Sequence, residues 1–328
     1  MPMTVVQSRF ANDAFLAYCS PSVLDKTGRA MSQQELNVIL DMMRNFPWGD
    51  TPTQMRASFN DSARSLPPHP TAIVEEVDAN GVPASLISTP QAAKDRVILY
   101  LHGGGFIAGS RISHCRLACD LSEAARATVL LIDYRLVPEH PYPAALEDAL
   151  AAYQWLMDER GFSPSHIALA GDSAGGNLAL TMLLSLREAG KPLPVAALLV
   201  SPLTDMARTG QTHTTKAHVD LMVLPQVLEA GINAYLPNGD FCNPLVSPIY
   251  ADLSGLPPML IHVGNQEVLL DDSLRLARKA ALDDVSVELK VWKDMIHSLH
   301  LFGPMLTEGR EAIASSGAFL ARYLGSKF

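Results

Sequence analysis

Cysteine is scarce: the 328 residues hold four, Cys19, Cys115, Cys119 and Cys242. So few, without a repeating spacing, exclude a disulfide-stapled scaffold and suit reduced thiols in a cytoplasm. Cys115 and Cys119 share one helix face beside His114, but buried free thiols are the simpler reading than a metal site. No apolar run approaches membrane-spanning length, and Met1 to Ser20 lacks the basic start, apolar core and small-residue cleavage site of a secretion signal. Basic charge is also short, with 25 Lys and Arg against 34 Asp and Glu for a formal charge of -9. That balance argues against nucleic acid as a partner and favours a neutral, apolar small molecule. Repeats and low-complexity tracts are absent.

What is present is enough apolar material, 48% of residues, for a sizeable core. Residues 1–65 read as helices separated by loops, with Ser32 to Glu35 shaped like a capping box and Leu36, Ile39, Leu40 and Met43 at helical spacing. Met42, Met43, Phe46 and Trp48 could edge a substrate mouth, although core packing is the favoured reading. Beyond Pro67 the period changes. Thr71 to Val77 and Ala84 to Ser88 make a hairpin through Asn80-Gly81, and six further apolar runs follow, for eight strands in all. Helical stretches alternate with them, which predicts an α/β fold whose eight-stranded, mostly parallel sheet is covered on both faces. The core then comprises residues 66–202 and 251–328. Residues 203–250, too long for a simple crossover and helical near Leu224 to Tyr235, read as a helical cap or lid that closes with residues 1–65 over the strand ends.

The stretch with the clearest chemistry is Gly171-Asp172-Ser173-Ala174-Gly175, between an apolar strand and a helical run. A serine at such a turn projects its hydroxyl beyond the strand's carboxyl end, and glycines on either side let strand and helix pass closely. Upstream, the strand Val97 to Leu101 runs into His102-Gly103-Gly104-Gly105-Phe106. Gly103 and Gly104 can turn their amides inward and, with the Ala174 amide, hold an oxyanion, while His102 reads as structural. A serine nucleophile needs a base. Of ten histidines, His297 follows the last strand and is the assigned base, with His300 as rival; His69, His114 and His140 read as far from the strand ends. The acid is sought after the preceding strand, where Glu267 comes first and ranks above Asp271, whose ordinary role is helix capping.

Together, His102 to Phe106, Asp133 to Ala145 and Gly171 to Asn177 resemble the hormone-sensitive-lipase family of α/β-hydrolases over about residues 70–325. The resemblance implies serine-dependent hydrolysis of carboxylic esters of short to medium acyl chain through an acyl-enzyme, with no metal or organic cofactor. It also implies a possible homodimer through the edge strand Val285 to Val291 or its neighbouring helix. Candidate wall residues are Phe106, Leu221, Met222, Leu299 and Phe302. Two departures stand out: the family's usual aspartate is Glu267, and its His-Gly-Phe is His297-Ser298-Leu299. Amides, lactones or acylated drugs are alternative substrates, and a non-catalytic receptor on the same fold is the alternative from another class.

Overall fold

In the computed structural model, which describes residues 29–325, eight strands form one sheet in the order β1-β2-β4-β3-β5-β6-β7-β8. They span Ile73–Asp78 (β1), Pro83–Ser88 (β2), Ala93–Leu101 (β3), Ala127–Ile132 (β4), Ile167–Asp172 (β5), Ala197–Val200 (β6), Met259–Gly264 (β7) and Val287–Trp292 (β8). The β1-β2 hairpin is antiparallel and pairs antiparallel with β4; every other pairing is parallel. Asn80 and Gly81 at the hairpin tip both take positive φ, the geometry a tight turn of this hand requires. All eight expected strands form within a few residues of their expected ends.

Nine α-helices are described: α1 (Arg29–Arg44), α2 (Pro52–Arg64), α3 (Cys115–Ala125), α4 (Ala144–Asp158), α5 (Ala174–Glu188), α6 (Thr212–Thr215), α7 (Pro225–Tyr235), α8 (Leu270–Leu282) and α9 (Thr307–Tyr323). The parallel strands are apolar along their length because each of their faces is covered. Val97, Leu99 and Leu101 of β3 point into one core with α4, α5 and α8, while Ile98 and Tyr100 point into the other with α3 and α9. A third apolar cluster packs Leu36, Ile39 and Met43 of α1 over Trp292, Met295, Ile296 and Leu299. α1 therefore clamps the chain that follows the last strand.

One capping expectation is corrected. α1 begins before Ser32, so Ser32 to Glu35 is no cap; Ser32 donates to Glu308, and Glu35 accepts from the amide and hydroxyl of Thr307. A box-like spacing was recruited for long-range contacts instead. Cys19 and the start of the expected amino-terminal cap lie outside the described residues. Among those residues, no helix is long and apolar enough to cross a membrane.

Candidate active site

The strand-to-helix turn at Ser173 has the strained geometry its sequence implies. Ser173 takes φ 54 and ψ -118, and its amide donates to the Val200 carbonyl at 2.8 Å, which ties the turn to the neighbouring strand. A Cβ on Gly175 would run into the Leu101 carbonyl, and one on Gly171 into the Gly175 carbonyl. Only glycine lets α5 start this close to the sheet.

His297 lies just past β8, buried, with Nδ1 2.7 Å from Glu267 Oε2. Glu267 is itself wholly buried, and its other oxygen accepts from Ser201 Oγ at 2.9 Å and from the Gly264 amide. Burial pushes the carboxyl above its ordinary range and Asp220 adds to that, while His297 and the Gly264 amide favour its charged form. Burial likewise favours a neutral His297 ring, yet Glu267, with Asp220 and Asp172 further off, raises it above the ordinary 6.5. The glutamate thus reaches the imidazole despite its extra methylene. Asp271 is elsewhere, accepting from the Gln211 amide at 2.8 Å, and His300 faces away, 3.1 Å from His262 Nδ1 and 3.2 Å from Ser316 Oγ. Burial lowers His300 to about 3.

The glycine loop requires a correction. The Gly103 amide is directed to Asp172 Oδ1 at 3.0 Å and His114 Nε2 at 3.3 Å, so it is engaged by the protein itself. Gly104 and Gly105, both at positive φ, are the glycines that line the cavity with Ser173, and among the described residues neither their amides nor that of Ala174 has a partner. His102 is structural, as expected: it is wholly buried, stacks on Tyr134 with ring centroids 4.2 Å apart, and is held at about 4, chiefly by burial. The Tyr134 hydroxyl donates to the His102 carbonyl at 2.6 Å, and the Val137 amide to the Phe106 carbonyl at 2.9 Å, so residues 134–137 brace the glycine loop.

Two residues near the reacting groups went unassigned in the sequence. Asp172, one residue before the serine, accepts from Tyr100 Oη at 2.9 Å and Ser298 Oγ at 3.3 Å besides the Gly103 amide, and has His114 Nε2 3.3 Å away. Burial would raise its carboxyl, but His114 and Tyr100 hold it down at about 2. His114, expected far from the strand ends, is instead in this cluster and lines the cavity, because 103–114 doubles back before α3 begins. The cue for Asp172 was its place inside the motif; nothing local marks His114.

Ser173, His297, Gly104 and Gly105 share a cavity walled by Trp48 from the loop before α2, by Met55 and Phe59 of α2, and by Met222 to Leu224, Val227 and Leu228 from 203–250. An adjoining chamber is lined by Met42, Met43, Phe46, Leu66, Phe302 and Met305, and Trp48, Phe59, His114, Met222 and Leu301 border both. The methionines and aromatics of 42–48 are therefore walls as well as packing. Of the five expected wall residues, Met222 and Phe302 are lining. Phe106 instead stacks on Tyr235 at 3.9 Å, turned inward by its positive φ, while Leu299 is buried and Leu221 packed in the cluster under α1.

A doubly wound sheet with a serine at a strand-to-helix elbow, and a histidine and carboxylate from the two loops beyond it, defines a Ser-His-acid hydrolase architecture. A family model described as alpha/beta hydrolase fold matches residues 98–301. An acetyl-hydrolase of Streptomyces hygroscopicus is 45% identical over 72% of this chain and 79% of its own, and an esterase of Acinetobacter venetianus 34% identical over 92% and 95%. A solved esterase of the bacterial hormone-sensitive lipase family superposes with a TM-score of 0.86 at 42% identity, covering 89% of this chain and 99% of that one. The chain belongs to the α/β-hydrolase family, in its hormone-sensitive-lipase branch.

The electrostatics around His297 can be read directly. Its imidazole will titrate above 6.5 by NMR, and Glu267→Gln, which removes the main charge that raises it, will move that midpoint down. An unmoved midpoint would mean that Glu267 does not act on the ring.

Proposed function

We propose that the protein hydrolyses carboxylic esters through an acyl-enzyme, with Ser173 as nucleophile, His297 as base and Glu267 as the acid that orients it. The observation that carries this reading is the 2.7 Å contact between His297 and Glu267 in a cavity that His297 shares with Ser173. With Nδ1 held by the carboxylate, His297 keeps Nε2 for the Ser173 proton. Ser173 Oγ attacks the ester carbonyl and its proton passes to His297; the carbonyl electrons move onto oxygen, where the Gly104, Gly105 and Ala174 amides stabilise the charge. Collapse breaks the ester C–O bond, and His297 protonates the departing alcohol. Water then repeats the steps and releases the acid. Gly105 takes the place first given to Gly103, because an amide already donating to Asp172 has no hydrogen left for substrate.

Segment 203–250, with α1 and α2, acts as a lid that leaves an apolar, partly water-free site. The paired chambers suit an ester with one short and one medium apolar arm. Met222, on their common border, limits the length of the longer arm. Relatives named esterase and acetyl-hydrolase, and a solved relative at 40% identity soaked with p-nitrophenyl butyrate, agree with a short to medium acyl range. A cytoplasmic setting suits the free thiols of Cys115, Cys119 and Cys242. A second copy of the chain would pair along β8, an open sheet edge that exposes Leu289 and Val291 beside Leu282 of α8.

Ser173→Ala will abolish p-nitrophenyl ester hydrolysis while leaving the circular dichroism spectrum unchanged; retained turnover would rule out the mechanism. Met222→Trp will lower kcat/KM for p-nitrophenyl octanoate by about tenfold or more relative to the acetate, through loss of room in the shared wall. Equal effects on both esters would remove Met222 as the length gauge. Sedimentation velocity will give twice the chain mass for the wild type and a monomer for Val291→Glu; dimers of unchanged strength in that variant would place the contact elsewhere.

A further inference from the structure

Asp220 is a buried carboxylate in 203–250 that the hydrolytic steps do not use. One oxygen accepts from the amides of Met222 and Val223, both at 2.9 Å, and so shapes the turn that presents the cavity wall. The other accepts from the Val268 amide at 2.9 Å, in the residue directly after Glu267. A single side chain therefore links the substrate wall to the backbone of the acid that orients His297.

The link is part of a longer seam. Thr212 Oγ1 donates to the Val268 carbonyl at 2.6 Å and accepts from the Asp271 amide at 2.9 Å. The Gln211 amide donates to Asp271, His213 Nε2 lies 3.0 Å from Asp272 Oδ1, and the Thr204 and Asp205 amides donate to Asp272 Oδ2. Residues 204–223 are in this way fastened to 268–272 by side chains that nothing in the hydrolytic reaction requires. Among these contacts, Asp220 alone joins the cavity-lining turn to the residue beside Glu267.

We propose that Asp220 is a positioning residue for the ester hydrolysis inferred above: it holds the Met222–Val223 wall and the Glu267 loop in one arrangement and adds negative charge to the surroundings of the catalytic imidazole. Three groups supply negative charge around His297: Glu267 from its own loop, Asp220 from 203–250, and Asp172 from the end of β5, itself paired with His114. A negative charge beside a buried imidazole favours the protonated ring, so its removal eases deprotonation. Glu267, in direct contact, is the largest of these influences and Asp220 follows it. Because Asp220 also sets the wall, its loss acts on substrate selection as well as on the ring, a pairing that a purely structural buried aspartate would not produce. The proposal depends on the triad reading, but its predicted signature is separate from simple loss of activity.

The test measures kcat/KM against pH with p-nitrophenyl acetate and octanoate for wild type, Asp220→Asn and Asp220→Ser, with circular dichroism on each. The neutral ring is the base, so activity falls as pH drops through the His297 midpoint. Both variants should shift that acid limb to lower pH and change the octanoate-to-acetate ratio by about threefold or more. An active wild type with variants that keep both the limb and the ratio would overturn the role of Asp220. An inactive wild type would instead defeat the esterase reading. If neither variant folds, hydrogen exchange in the wild type decides: common protection of the Val268, Met222 and Val223 amides supports the latch. Val268 protected while the other two exchange freely overturns it.

Discussion

The carboxylate of Asp172 is where the parts of the site are joined. It stands at the end of the central strand β5, immediately before the nucleophile, and receives Tyr100 from β3, the Gly103 amide from the glycine loop and Ser298 from the histidine loop, with His114 alongside. A carboxylate buried without partners would cost several kcal/mol, and each hydrogen bond to a charged group contributes about 1.5–3 kcal/mol. The buried charge is tolerable only when these donors converge on it. Chain segments distant in sequence are thereby held to the turn that carries Ser173. The arrangement also explains why the first glycine of the loop is spent on structure: its amide satisfies Asp172.

A second constraint comes from the glutamate. An acid one methylene longer than the family's usual aspartate still meets His297 at 2.7 Å, since its far oxygen is fixed by Ser201 and the Gly264 amide. Ser201 also accepts from the Ser298 amide at 3.3 Å, so the acid and histidine loops share an anchor on the β6 end. Around this rigid base the cavity is assembled from distant pieces: the first two helices, the 203–250 segment and the turn after β8. The third apolar cluster, in which α1 covers Met295, Ile296 and Leu299, makes that helix a support for the histidine loop as well as a wall. Chemistry and substrate selection are thus carried by different layers in contact with each other.

Much of this was legible from residue order alone, and the physical reason is locality. Strand and helix limits follow from apolar period, the Asn80-Gly81 hairpin from its permitted backbone angles, and the Ser173 elbow from glycines placed where only glycine fits. The Glu267–His297 contact could be anticipated because functional groups on such sheets come from loops after known strands, a matter of chain order. Phe106 and Leu299 misled because hydrophobicity does not say which way a side chain turns; a positive φ and a covering helix sent both into the core. Residues 42–48 pack as expected and also form a wall, a double use that composition cannot reveal, since a wall and a core have the same composition.

What the sequence determined by itself was the order of elements, the sheet's covered faces and which serine, histidine and acid are the candidates for the proposed triad, all set by period, turn stereochemistry and succession along the chain. Only the tertiary structure decided that Gly103 serves Asp172 rather than an oxyanion, that His114 returns to the strand ends, and that Asp220 spans from the cavity wall to the acid loop. Each of those depends on where a hydrogen-bond partner dozens of residues away comes to rest. A donor's allegiance is settled by distance and angle in space, and neither is written in the spacing of residues along the chain.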